Sequence, residues 1–295
     1  MKSVLAIDIG GTYIKYGLIH ENYQISNKGK VKTPNTTTED FLNELKSLYD
    51  SYKEEIRGIA ISAPGRISEE GVMLTAGILE YLAGFNLAQE LSAVCDGISV
   101  TVENDGKAAA LCEATIGSGK DYPNSVALIF GTGIGGGVII NKEILRGCYL
   151  IAGEFSPVFT NYEAGNYDSF AKLYSTISVV NKAKEITHED DLNGERMMAL
   201  YREKNHSELN DYLDAWFFAI AKFCYNIDCL YNPDVICIGG GISADPLFVE
   251  RIKENIDIIY EEAFVFRKPK VEVCMYQNDS NLLGAYCRFI KMKGK

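Results

Sequence analysis

Residues 5–19, Leu5-Ala6-Ile7-Asp8-Ile9-Gly10-Gly11-Thr12-Tyr13-Ile14-Lys15-Tyr16-Gly17-Leu18-Ile19, decide how the 295-residue chain is read. An apolar, β-branched run stops at two glycines and resumes at once, which predicts a β-hairpin around a glycine-rich turn. The same order of apolar run, Gly/Thr turn and apolar run returns at residues 127–140 as ALIFGTGIGGGVII. Two such segments suggest an internal duplication of one phosphate-handling hairpin. In the second copy the spacing predicts a strand over 126–130, a turn over 131–137 and a strand over 138–140.

Working outward, Thr38 followed by Glu39-Asp40 predicts a helix to about Arg57, with Thr38 as its N-cap. A short buried strand follows at 58–63, ending at Pro64-Gly65. Another at 98–102 runs into Glu103-Asn104-Asp105, and the alanine-rich residues 106–116 read as a helix. A long apolar helix over 209–231 is stopped by Asn232-Pro233. Then come a strand (234–238), a Gly239-Gly240-Gly241 turn, a helix from Pro246 to 263, a strand (271–275) and a last helix (281–292). Strands alternating with helices in this way mean an α/β fold with two sheets.

Composition narrows the functional classes. At roughly 100–200 residues per domain the length suggests two domains. Hydrophobic residues make up 47%, enough to build a sizeable core and to argue against disorder. With 29 Lys plus Arg against 40 Asp plus Glu, the net charge is −11, so broad nucleic-acid binding is not expected. The longest apolar stretch, 126–140, is broken by five glycines and is too short for a membrane span, so no membrane association is expected. The eight cysteines contain no CxxC pair, and Asp8 interrupts the N-terminal apolar run where a secretory signal would continue. A reduced, cytoplasmic setting is expected.

Several motifs carry chemistry, and each has a plainer reading. Asp8-Ile9-Gly10-Gly11-Thr12 suits a Mg-nucleotide. Glycines let backbone N–H groups approach phosphate oxygens, the threonine hydroxyl adds a donor, and Asp8 can hold Mg²⁺ through water. The plainer reading is a tight turn with an acidic cap. Residues 131–136, Gly-Thr-Gly-Ile-Gly-Gly, match GxGxxG literally, but that fingerprint needs a helix next, and Val138-Ile139-Ile140 is strand-like. Ser118-Gly119-Lys120 fails as a phosphate loop, with Ala114 where the first glycine belongs and Asp121 where Ser or Thr should stand. Asp105, at a strand-to-helix junction, is either an N-cap or a general base that accepts a sugar hydroxyl's proton, with Asn104 able to bond sugar hydroxyls. Glu154, among Ala, Gly and Phe, is a hydroxyl acceptor or a surface residue. His20, His188 and His206 lie in polar surroundings without metal spacing and are assigned to the surface; Trp216 is assigned to the core.

Taken together, DIGGT at 8–12, FGTGIGGG at 130–137, IGGGIS at 238–243, SNLLGAY at 280–286 and END at 103–105 resemble the ROK family of bacterial sugar kinases and repressors, within the hexokinase–actin ATPase superfamily. The joint order and spacing carry the resemblance, which runs nearly end to end. It implies two actin-like ATPase (ribonuclease H-like) domains with a hinge cleft. A smaller N-terminal domain is expected over 1–117 plus 280–295, and a larger one over 118–279. It also implies a homodimer and ATP-dependent phosphorylation of a hexose 6-hydroxyl, with N-acetylmannosamine, glucose and β-glucosides all open as acceptors. Asp105 would be the base, with Gly65, Asn104 and Glu154 at the sugar. Asp8 would act on Mg²⁺. Gly10, Gly11, Thr12, Thr132 and Gly133 would contact phosphates, and Gly240 with Gly241 would face the nucleotide.

One segment departs from the family. Typical members read GExGH and then a cysteine-rich zinc loop; here the text is Gly153-Glu154-Phe155-Ser156-Pro157, without the cysteine cluster. Pro157 offers no metal or sugar ligand, so no structural zinc is expected, as in a zinc-less subgroup of the family. The glutamate that usually follows the zinc loop has no clear counterpart, and Asp168 or Glu163 is proposed in its place. Repressor relatives carry a helix-turn-helix ahead of the first motif. Only Met1-Lys2-Ser3 stand there in this sequence, so an enzyme is expected over a repressor. The alternative is a catalytically inactive sugar-sensing regulator.

Overall fold

The computed structural model describes residues 2–263 and 267–293. In chain order the elements are β1 (Ser3–Ile9), β2 (Tyr13–Ile19), β3 (Ile25–Lys32), α1 (Thr38–Tyr52), β4 (Ile56–Ala63), α2 (Leu87–Val94), β5 (Val100–Asn104) and α3 (Asp105–Thr115). They continue with β6 (Ser125–Phe130), β7 (Ile134–Ile140), β8 (Glu143–Ile144), α4 (Phe170–Tyr174), α5 (Thr176–Thr187), α6 (Gly194–Glu203) and α7 (Ser207–Tyr231). The last are β9 (Val235–Gly239), α8 (Pro246–Glu262), β10 (Lys270–Val273) and α9 (Ser280–Lys293). Among the described residues no helix is long and apolar enough to cross a membrane.

The chain divides into two compact units. The first comprises Met1–Thr115, Arg146–Ala152 and Asp279–Lys295; the second comprises Ile116–Leu145 and Gly153–Asn278. Each unit contains one five-stranded sheet. The first runs β3-β2-β1-β4-β5 and the second β8-β7-β6-β9-β10. In the first, β1–β2 and β2–β3 are antiparallel and β1–β4 and β4–β5 parallel. The second repeats that order strand for strand. The two glycine-turn hairpins read from the sequence are therefore the same hairpin in two sheets, and the first strand of each is the central one.

Local signals explain the elements. β1 is buried along its whole length, as a central strand covered on both faces must be. α3 is buried over 106–114, which is why its alanine-rich sequence has no polar face. It packs on α9 so closely that a Cβ on Gly284 would lie 1.8 Å from the Ala108 carbonyl oxygen. In the second unit α7 buries Trp216 and Phe217 against Phe248 of α8, and the Trp216 indole N–H donates to the Tyr174 carbonyl at 2.9 Å. α7 ends where Asn232 takes a left-handed conformation, φ 43°.

The structure corrects several boundaries. Thr37, not Thr38, caps α1, accepting from the Asp40 N–H, and the helix stops at Tyr52 so that β4 can begin at Ile56. Residues 134–137 are strand rather than turn. Phe130 pairs with Ile134, so the second turn shrinks to Gly131-Thr132-Gly133. His20 is half-buried between the Ser3 and Ser26 hydroxyls, at 2.9 and 2.8 Å, rather than a free surface residue.

Candidate functional site

At the end of β1, Asp8 is only 8% exposed. Its Oδ1 accepts from the Ser62 hydroxyl of β4 at 3.1 Å and from the Asn281 amide of α9 at 3.0 Å. Its Oδ2 faces the Lys15 ammonium at 3.9 Å. Burial pushes its carboxyl above the ordinary value, while the Asn281 bond, the Lys15 charge and the Ser62 bond pull it back. Two donors on one oxygen fix the carboxylate plane and turn the other oxygen, which the half-exposed Lys15 ammonium faces at 3.9 Å, toward cations. That fits Mg²⁺, which takes one or two carboxylates and keeps several waters. Among the described residues no group of three or more His, Cys, Asp or Glu could hold a metal, so the rest of such a shell would be water and phosphate. The turn beyond is tight: the Gly10 N–H donates to the Tyr13 carbonyl at 3.1 Å, Gly11 lies beside Ile78, and Thr12 is exposed.

The Glu103-Asn104-Asp105 junction joins β5 to α3. Asn104, rather than Asp105, is the N-cap: its Oδ1 accepts from the Lys107 N–H at 3.0 Å. Its amide donates to the Gly65 carbonyl at 2.9 Å and to Asp105 Oδ1 at 3.0 Å, which commits both amide hydrogens. The Gly106 N–H adds a second donor to the same Asp105 oxygen at 2.8 Å. Gly65 must be glycine, with φ +94° and the Thr75 carbonyl oxygen 2.1 Å from where a Cβ would stand. Behind the junction Glu103 is 1% exposed. Its carboxylate accepts from both terminal nitrogens of Arg146, one at 3.2 Å, and lies 3.5 Å from Arg288 Nε of α9.

In the second unit, Gly131 and Thr132 are exposed at the tip of the β6–β7 turn, closed by the Gly131 N–H donating to the Gly133 carbonyl at 2.9 Å. Gly240, φ +96°, follows β9; a Cβ there would fall 2.0 Å from the Phe130 carbonyl oxygen, so the two turns touch. Both border one cavity of about 770 Å³, where Gly131 and Gly241 meet apolar walls of Ile177, Val180, Leu192 and Ile242. The volume and apolar lining suit a purine nucleoside.

Glu154 is half-buried immediately after Gly153. Asp168 is engaged elsewhere, its carboxylate 2.5 Å from Lys172 one helical turn on, and Glu163 is exposed. Sequence reasoning missed Ser62, Asn281, Arg146, Arg288 and Ser156. The signals it could have used are the polar Asn281 ahead of the apolar run Leu282-Leu283-Gly284-Ala285 and Arg146 seven residues before Gly153-Glu154.

A model of the ROK family matches residues 4–291. The chain belongs to the ROK family. Among its relatives, a beta-glucoside kinase of Listeria monocytogenes is 30% identical over 300 residues, covering 99% of both chains. An N-acetylmannosamine kinase of Salmonella typhi is 27% identical, covering 96% of this chain and 97% of that one. Among solved structures, a ROK family protein from Streptococcus pneumoniae in complex with sucrose superposes with a TM-score of 0.89 at 29% identity, covering 99% of both chains. The paired sheets of this ROK chain are thus the actin-like ATPase fold of its neighbours.

Proposed function

We propose that this ROK protein is an ATP-dependent sugar kinase that phosphorylates the 6-hydroxyl of a hexose or hexose derivative. The observation that carries the reading is the END junction, where two donors aim Asp105 from the first turn of a buried helix. Asp105 is the general base. As O6 attacks the γ-phosphorus, its proton passes to the carboxylate, the new O6–P bond forms, and the bond to the β-phosphate oxygen breaks to release ADP. Asn104 aims Asp105 and keeps one Oδ1 lone pair for a sugar hydroxyl. Gly65 borders the sugar, and Glu154 accepts from its hydroxyls. Asp168 takes part only by exchanging Lys172 for a hydroxyl. Gly10, Gly11, Thr12, Thr132 and Gly133 face phosphates, and Gly240 with Gly241 face the nucleoside. Asp8 would hold Mg²⁺, which when bound would supply charge neutralisation at the phosphates.

The relative named beta-glucoside kinase makes β-glucosides the first acceptors to try. A coupled assay for ADP over β-glucosides, glucose, N-acetylmannosamine and N-acetylglucosamine is expected to give sugar-dependent turnover, highest with β-glucosides. No sugar-dependent ADP from any of them would leave an inactive sugar-sensing regulator as the better reading.

A further inference from the structure

We infer that Ser156 is a positioning residue that couples the sugar-binding loop to the phosphate turn, an inference that rests on the kinase reading above. The residues around Glu154 are fastened to the glycine-rich strand β7. A Cβ on Gly153 would lie 3.1 Å from the Val138 nitrogen and 3.2 Å from Gly137 Cα. The Phe155 ring would be 3.0 Å from a Cβ on Gly136. The Ser156 hydroxyl accepts from the Ile134 N–H at 3.0 Å and donates to the Ile134 carbonyl at 3.2 Å.

The glycine run GTGIGGG thus divides in two. At the exposed tip, a Cβ on Gly131 would meet nothing within 4 Å, so there is open space beside it, while its N–H is held by the Gly133 carbonyl. Further along, Gly136 has no side chain because a Cβ would fall 2.0 Å from the Ala127 carbonyl oxygen, with the Phe155 ring next at 3.0 Å. Ser156 stands at the boundary. It holds both polar backbone atoms of Ile134, next to Gly133, and its hydroxyl would be 3.1 Å from a Cβ on that glycine. The Ala171 N–H at the start of α4 donates to the Ser156 carbonyl at 3.1 Å, so the residue is also fixed from the other side. A hydroxyl that accepts from the N–H and donates to the C=O of one residue ties two chain segments together. A phosphate that shifts the tip then shifts Glu154, and a sugar that draws on Glu154 shifts the tip.

The test is calorimetry of the acceptor sugar with the highest turnover, titrated with and without a non-hydrolysable ATP analogue and Mg²⁺. In the wild type the analogue is expected to change the sugar Kd by about fivefold or more, and by reciprocity the sugar changes the analogue's Kd equally. In Ser156→Ala and Ser156→Gly that ratio is expected to fall to within about twofold of unity. A merely structural serine would lower the melting temperature and both affinities while leaving the ratio intact. A wild-type ratio retained in either folded variant, or no coupling in the wild type, overturns the inference alone. Absence of sugar binding to the wild type overturns the kinase reading and the inference with it.

Discussion

Asp105→Asn is expected to lower kcat by about 10²–10⁴-fold, the usual contribution of one general base, and to leave the sugar Kd within about threefold. The separation follows from the geometry. One oxygen of Asp105 accepts from the Gly106 N–H and the Asn104 amide. An asparagine can present its carbonyl oxygen to the same two donors, so the helix start and the side-chain direction survive. The lost property is the capacity to take a proton at neutral pH, since an amide does not. Turnover and calorimetry on one preparation read the two effects independently. Wild-type turnover in the variant would remove Asp105 from the chemistry. A large loss of sugar affinity would give it a binding role instead.

The second large effect is on stability. Arg146→Met is expected to cost about 3 kcal/mol, near the low end for breaking a buried ion pair, because Glu103 then loses the guanidinium that both of its oxygens accept from and is left with the more distant Arg288 Nε at 3.5 Å. Exposure decides the magnitude. Surface pairs contribute about 0–1 kcal/mol, whereas removing one member of a buried pair strands the other charge away from water. With Glu103 only 1% exposed and Arg146 14%, the buried case applies. Thermal melting should show a drop of roughly 6–12 °C for that loss in a domain-sized unit. In the double variant Arg146→Met/Glu103→Gln, part of the loss should return, since the stranded charge is gone. A drop of under about 1 kcal/mol in the single variant would class the pair with surface bridges.

The parts of the fold legible in the sequence are those whose signal is local and apolar. Both glycine-turn hairpins, the helices α7, α8 and α9 and the END junction announce themselves through runs of Ile, Val, Leu and Ala between Gly, Pro or Asn. β3 was not legible because it is an edge strand: Ile25–Lys32 alternates Ser, Asn, Lys and Gly with few apolar residues, and half of it is exposed. The residues 134–137 misled because glycine usually marks a turn, whereas here Gly136 is bare because the Ala127 carbonyl of the paired strand, and then the Phe155 ring, crowd it. The partners of the site residues were hidden for a different reason. Asp8 and Asn281 are separated by 273 residues and Arg146 from Glu103 by 43, and no spacing rule links positions that only the folded topology brings together. The contact of Ser156 with Ile134 was hidden in the same way, since only the fold sets its hydroxyl against that residue 22 positions earlier.

Phosphorus NMR of the wild-type protein with Mg²⁺, ATP and a β-glucoside reads the transfer itself. The expected record is a phosphomonoester resonance coupled to the methylene protons at C6, growing as the γ-phosphate signal of ATP declines and ADP accumulates. ATP left intact, or consumed only to inorganic phosphate with the sugar unchanged, both with the β-glucoside and with glucose, N-acetylmannosamine and N-acetylglucosamine in its place, would contradict the reading of this chain as a kinase of sugar 6-hydroxyls.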